Sequence, residues 1–131
     1  MTDQILTTKL CLPILRKDVI LRRRLIERLN NGLWQPEGFV RKLTLVSAPT
    51  GFGKTMLLSA WRRGPGAHAA TAWLSLDPAD NDPTRFLQYL CTSLDGVHPG
   101  LAEQTLALLD PSDPPQPEAI LSLLLNLLSE L

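Results

Sequence analysis

Aromatic residues are scarce here, at 5% of the sequence, so any core must be built mostly from Leu, Val and Ala. Cysteine is nearly absent. Cys11 and Cys91 stand far apart on apolar segments with no CxxC spacing, which excludes a disulfide framework and points to buried thiols in a reducing compartment. No basic stretch followed by an apolar one opens the chain, so MTDQILTTKL does not read as a signal peptide. No apolar run is long enough to cross a bilayer; the longest, 119–131, is short and contains Asn126 and Glu130. A cytoplasmic location with no membrane partner is expected. Net charge is also missing, with 13 basic residues against 13 acidic, so the total excludes no class of partner. Its distribution is uneven. Through Arg63 there are 12 basic and 4 acidic residues, and from Gly64 onward 1 basic and 9 acidic. A basic front suits a polyphosphate ligand or nucleic acid; two complementary solvated faces are the plainer alternative. No internal repeat is found. The 131 residues suit one small domain, and 44% hydrophobic with 20% charged is a soluble globular balance.

Along the chain, residues 1–18 read as extended, with Pro13 against helix. Asp18 can cap a helix whose Leu21, Leu25, Ile26 and Leu29 share a face, and Asn30, Asn31 and Gly32 can end it. Residues 33–40 read as a loop. The run 42–47, KLTLVS, has the unbroken apolar character of a parallel strand covered on both faces. A helix is expected from about Lys54, buried through Leu57, Leu58 and Trp61 and stopped by Gly64, Pro65 and Gly66. Residues 71–76, TAWLSL, read as a second strand. Asp82 can cap the next helix, with Pro83 at its first position and Phe86, Leu87, Leu90, Cys91 and Leu94 buried, up to Gly96. A helix over 101–109, a linker over 110–117 and a Leu-rich helix from Glu118 complete the reading.

One motif carries chemistry. Ala48, Gly53, Lys54 and Thr55 satisfy the pattern [Ala or Gly]-x4-Gly-Lys-[Ser or Thr], between an apolar strand and an amphipathic helix. Successive backbone N–H groups of such a loop form an anion nest, and the helix aims its positive end at the same point. Gly51 and Gly53 let the backbone approach phosphate oxygens with no Cβ in the way. Lys54 can reach the β- and γ-phosphates, and the Thr55 hydroxyl can ligate Mg²⁺. The run Arg22–Arg24 reads more simply as the solvated side of a helix than as a phosphate patch. Asp77, Asp80 and Asp82 can be read as metal ligands, but turn and cap chemistry explains them more simply. His68 and His98 have no partner at ligand spacing, and no nucleophile–base pair is evident, so no catalytic residue is assigned.

These residues, with TTKLCLPILR, VILRRRLIERLNNGL, RKLTLVSAPTGFGKTMLLSAW, AWLSLDPADNDPTRFLQYL and PPQPEAILSLLLNLL, cover most of the chain. It resembles the N-terminal ATPase segment of MalT-like, LuxR-family transcriptional regulators of the STAND class. The resemblance implies that Ala48, Pro49, Thr50, Gly51, Phe52, Gly53, Lys54, Thr55 and Met56 form a Walker A loop with its following position. It matches Arg22 to an upstream arginine near the nucleotide base. That upstream motif often carries Gly before the arginine and an acid after it; here Leu21 and Leu25 stand in those places. Thr50 and Met56 stand where related members often show Ala and Thr. The expected cofactors are ATP or ADP with Mg²⁺, held in part by Thr55. The expected fold is α/β: an incomplete P-loop NTPase, a parallel sheet with flanking helices, truncated before its Walker B strand. Residues 1–40 would lead into the NTPase and 41–131 would form part of it. Hydrolysis is then not expected from this segment alone, although the parent would be a slow ATPase. DNA would be bound only through a C-terminal domain absent here, and the full-length parent could self-assemble. Rival readings are another P-loop protein, such as a small kinase or transport ATPase, and a non-enzymatic interaction piece using the Leu-rich last helix.

Overall fold

The computed structural model describes residues 5–18, 20–109, 112 and 117–130. The chain divides into two units, one of residues 12–69 and one formed by 1–11 together with 70–131.

In the unit 12–69, helix α1 (Arg23–Leu33) is followed by a minimal hairpin of β1 (Trp34–Gln35) and β2 (Gly38–Phe39). The hairpin is antiparallel, with Trp34 opposite Phe39 and Gln35 opposite Gly38. Gly38 has φ +117°, a value that L side chains resist. After a stretch without regular structure, helix α2 (Lys54–Arg63) packs on α1. Their apolar positions recur at helical spacing, so Ile26 and Leu29 meet Ala60 and Trp61, with Leu15, Leu33, Val46, Leu57, Leu58 and Ala69 around them. The Trp61 indole N–H donates to Asn30 Oδ1 at 3.1 Å, which satisfies the polar edge of a buried ring. The helix α1 begins at Arg23, with the Leu25 and Ile26 amides donating to Arg22 O; Asp18 lies in a turn before it, so the expected cap is not the one used. The helix also runs through Asn30, Asn31 and Gly32, because packing on α2 outweighs their weak propensity.

In the other unit, α3 (Pro83–Asp95), α4 (Leu101–Leu106) and α5 (Pro117–Ser129) pack together. Asp82 Oδ2 accepts from the Arg85 amide at 3.1 Å and Pro83 occupies the first position of α3, the start expected from sequence. Asp95 Oδ1 accepts from the amides of Gly100 and Ala102, each at 3.0 Å, and so seats the start of α4. Helix α4 stops at Leu106, short of the 109 expected. Leu87, Cys91, Leu101, Ile120 and Leu124 form the core, flanked by Phe86, Leu90, Leu94, Leu106, Leu109, Leu127 and Leu128. Each fully buried aliphatic side chain stabilises by about 1.5–3 kcal/mol. Burial pushes the Cys91 thiol above its usual range, which keeps it protonated. The expected linker over 110–117 lies mostly outside the described residues.

The expectation of a parallel sheet is corrected by this structure. Among the described residues the hairpin is the only ladder. Residues 42–47 form no ladder, with Leu43 and Leu45 84% and 85% exposed. Residues 71–76 also form no strand. Their backbone bonds go elsewhere: Trp73 O accepts from Ser93 Oγ at 2.9 Å, and the Ser75 amide donates to Lys9 O at 2.9 Å. An apolar run reports hydrophobicity, whereas a parallel strand also needs neighbours supplying hydrogen bonds along both edges. Neither run finds them here.

Candidate phosphate-binding site

The loop 48–53 connects residues 42–47 to α2. Gly51 and Gly53 have φ +89° and +80°, the left-handed conformation that reverses the chain without strain only at glycine. The Phe52 amide closes the turn onto Pro49 O at 3.3 Å. Gly53 is the residue before α2, and its carbonyl accepts from the Leu57 amide at 2.9 Å. Like any helix, α2 has first-turn amides with no intrahelical acceptor. No acidic side chain lies in that turn, while Arg62 and Arg63 lie in the last. The positive end of the helix is therefore not neutralised from within α2, and the negative end is.

Two cations converge on this loop. The Lys54 ammonium folds back across it and donates to Ala48 O, and to Pro49 O at 3.2 Å. Arg22 Nη1 donates to Phe52 O at 3.1 Å, and its Nη2 lies 4.0 Å from where a Cβ on Gly53 would stand. A Cβ on Gly51 would meet nothing within 4 Å, so the loop is open on that side. Thr50, Phe52 and Thr55 are exposed, and Ala48, Lys54 and Met56 are half-buried. The structure thus brings Arg22 and the loop together across 30 positions of sequence. It gives Arg23 and Arg24 exposed positions on α1.

A cleft of about 500 Å³ opens beside the loop, lined by Arg22, Arg28, Arg41 and Lys54 with Leu25, Leu29, Ser47, Phe52 and others; its described lining has no acidic residue. Neither Arg28 nor Arg41 carries a sequence signal that marks it for this cleft. Arg41 lies against Gly32, 3.7 Å from a Cβ there, a juxtaposition set by the hairpin and invisible in residue spacing. A second cleft of about 310 Å³, on the Met56 side of the loop, is mainly apolar and holds Asp18, Ile20 and Leu21 beside Arg22. Cations, loop amides and a hydroxyl form a donor set suited to an anion. Among the described residues no group of three or more His, Cys, Asp or Glu is placed to hold a metal ion, and no helix is long and apolar enough to cross a membrane. Asp77, Asp80 and Asp82 serve turn, cap and ion-pair roles in the other unit.

No family model matches the chain and no solved structure does. Curated proteins do. The chain is 34% identical over 90 residues to the HTH-type transcriptional regulator MalT of Serratia proteamaculans and 32% identical over 90 residues to that of Cronobacter sakazakii. Each alignment takes in 69% of this chain and 9% of the relative. The serine/threonine-protein kinase PknK of Mycobacterium tuberculosis is 45% identical over 64 residues, 48% of this chain and 6% of that protein. The chain therefore spans less than a tenth of the relatives it matches, and it is similar to a segment of MalT.

Proposed function

We propose that this chain is the nucleotide-binding segment of a MalT-like transcriptional regulator, with the loop Ala48–Thr55 holding the phosphates of ATP or ADP. The observation that carries the reading is the convergence of Lys54 and Arg22 on a loop with two left-handed glycines at the start of a helix. Lys54 would leave the Ala48 and Pro49 carbonyls for the β- and γ-phosphates, and first-turn amides of α2 would complete the cradle. Thr55 would supply a hydroxyl to Mg²⁺, the remaining ligands coming from phosphate and water. Arg22 would stand at the boundary between the loop and the apolar cleft, where the nucleoside end of the ligand would lie. In a longer parent, the triphosphate would hold an assembly-competent state and hydrolysis would reset it, with DNA engaged by a separate domain. The parent would act in the cytoplasm.

Calorimetry with Mg-ATP tests the reading. Charge-assisted hydrogen bonds contribute about 1.5–3 kcal/mol, so Lys54→Ala should weaken binding by roughly ten- to a hundredfold. Equal affinities for wild type and Lys54→Ala would remove the loop from consideration as the phosphate site.

A further inference from the structure

Two sequence stretches not absorbed by the phosphate loop, TTKLCLPILR and LDPADNDPTRFLQYL, meet in one cluster. Lys9 is buried in a short 3-10 turn, Thr7–Leu10. Its ammonium pairs with Asp77 Oδ2 at 3.0 Å and with Asp80 Oδ2, and lies 4.3 Å from the centre of the Tyr89 ring. Asp80 is itself buried, and its other oxygen accepts from Arg85 Nε at 3.3 Å. Asp80 Oδ2 also accepts from the Asp77 amide at 2.8 Å, and Asp77 Oδ1 from the Ala79 amide at 2.8 Å, so backbone amides hold both carboxylates as well. The backbone is tied as well. The Leu6 amide donates to Tyr89 Oη at 3.0 Å, and Lys9 O accepts from the Ser75 amide at 2.9 Å.

We infer that residues 5–10 are a strap, closed by Lys9, that fastens the start of the chain to the segment 75–89. Three observations argue against an incidental surface pair. A buried lysine is rare unless paired, and this one meets two carboxylates and an aromatic face. Removing one member leaves charge stranded in a poorly solvated place. The side-chain contacts of Leu6 and Lys9 with Tyr89, Asp77 and Asp80 also join residues 68 to 83 positions apart, so they specify long-range order that local propensity cannot. Because residues 12–69 form the separate unit, the strap is what makes the first residues part of the helical unit despite that interruption. The strap stands independently of any nucleotide, and it assigns one job to both stretches.

Hydrogen exchange on the full chain, with no nucleotide added, tests this. In wild type the Leu6 and Ser75 amides should be protected. Lys9→Met should raise exchange at both by about tenfold or more while the Ile120 amide in α5 keeps its protection. Tyr89→Phe removes a single acceptor and leaves the charges in place; it should speed exchange at Leu6 and leave Ile120 unchanged, which decides the matter even if Lys9→Met fails to fold. Unprotected Leu6 and Ser75 amides in wild type, or unchanged exchange at Leu6 in Tyr89→Phe, would overturn the strap.

Discussion

Gly66 is buried directly beneath Trp61, and replacing it with Ala tests the packing of the unit 12–69. A Cβ at this position would lie 2.7 Å from Trp61 Cε2 and Cζ2 and 2.8 Å from Cδ2. Carbon atoms prefer about 3.5–4.0 Å, so the overlap is roughly 1 Å against a rigid ring. The ring is not free to swing away, because its N–H is held by Asn30 and the Gly66 amide is itself held by Trp61 O at 2.8 Å. Overpacking of this kind costs about 1–3 kcal/mol. Gly66 does not have a positive φ, so Ala brings no backbone strain there and recovers about 0.4–1 kcal/mol by restricting the unfolded chain. The balance is a destabilisation of about 1–2 kcal/mol. The same substitution in a Trp61→Leu background should be neutral or slightly stabilising, since the obstructing ring is gone. Urea unfolding followed by far-ultraviolet circular dichroism, run as a double-mutant cycle, should return a coupling of about 1–3 kcal/mol. An equal cost for Gly66→Ala in both backgrounds, or no cost in the wild type, refutes the reasoning.

Leu124→Ala should cost about 2–5 kcal/mol in urea unfolding, because Leu124 is only 3% exposed in the core of α3, α4 and α5. Asp82→Ala removes the cap of α3 and should cost about 0.5–2 kcal/mol, read as a lowered melting temperature, with Asp82→Asn close to wild type. The hydrogen bond from Lys9, followed by a backbone N–H, holds both Asp77 and Asp80 below the usual carboxylate range. Their contribution is therefore complete above about pH 4, the unfolded value, and is lost as pH falls through the lower folded values. Burial pulls Lys9 downward, but its bonds to Asp80 and Asp77 outweigh this and leave it above the usual lysine range. Its contribution is complete below about pH 10 and is lost as pH rises through the raised folded value. Melting temperature against pH should thus hold a plateau between those limits, and Lys9→Met should flatten its acid side; an unchanged acid limb in that variant would count against the cluster.

The local signals were legible where one residue acts on its own neighbours. Asp82 and Pro83 announce the start of α3, and the spacing of Leu87 and Cys91 marks its buried side, since caps and helical periodicity depend on a few adjacent positions. The glycine pattern 51–53 announced the tight loop for the same reason. The sheet was not legible. Leu43, Leu45 and Trp73 lie in runs with strand composition, but pairing depends on distant segments that composition cannot name. Asp80 illustrates a different blind spot. Its place in a turn is local and readable, yet its principal partner is Lys9, 71 positions away, and no rule of spacing connects them. Within the arginine run 22–24 only the resemblance sets Arg22 apart, and in the structure its guanidinium donates to Phe52 O. Arg28 and Arg41 carried no signal, because their shared cleft is created by the hairpin between them.

The interrupted layout of the unit that holds Lys9 has a consequence for synthesis. A chain growing at about 5–20 residues per second presents Lys9 roughly 4–14 s before Asp80. Through that interval residues 12–69 emerge as a contiguous stretch and can collapse on their own, pairing α1 with α2. Their collapse shortens the loop that must later be closed, and loop-closure entropy rises only with the logarithm of length. The layout thus sets one constraint on assembly: Lys9 meets its two aspartates only after the whole of 12–69 has been made.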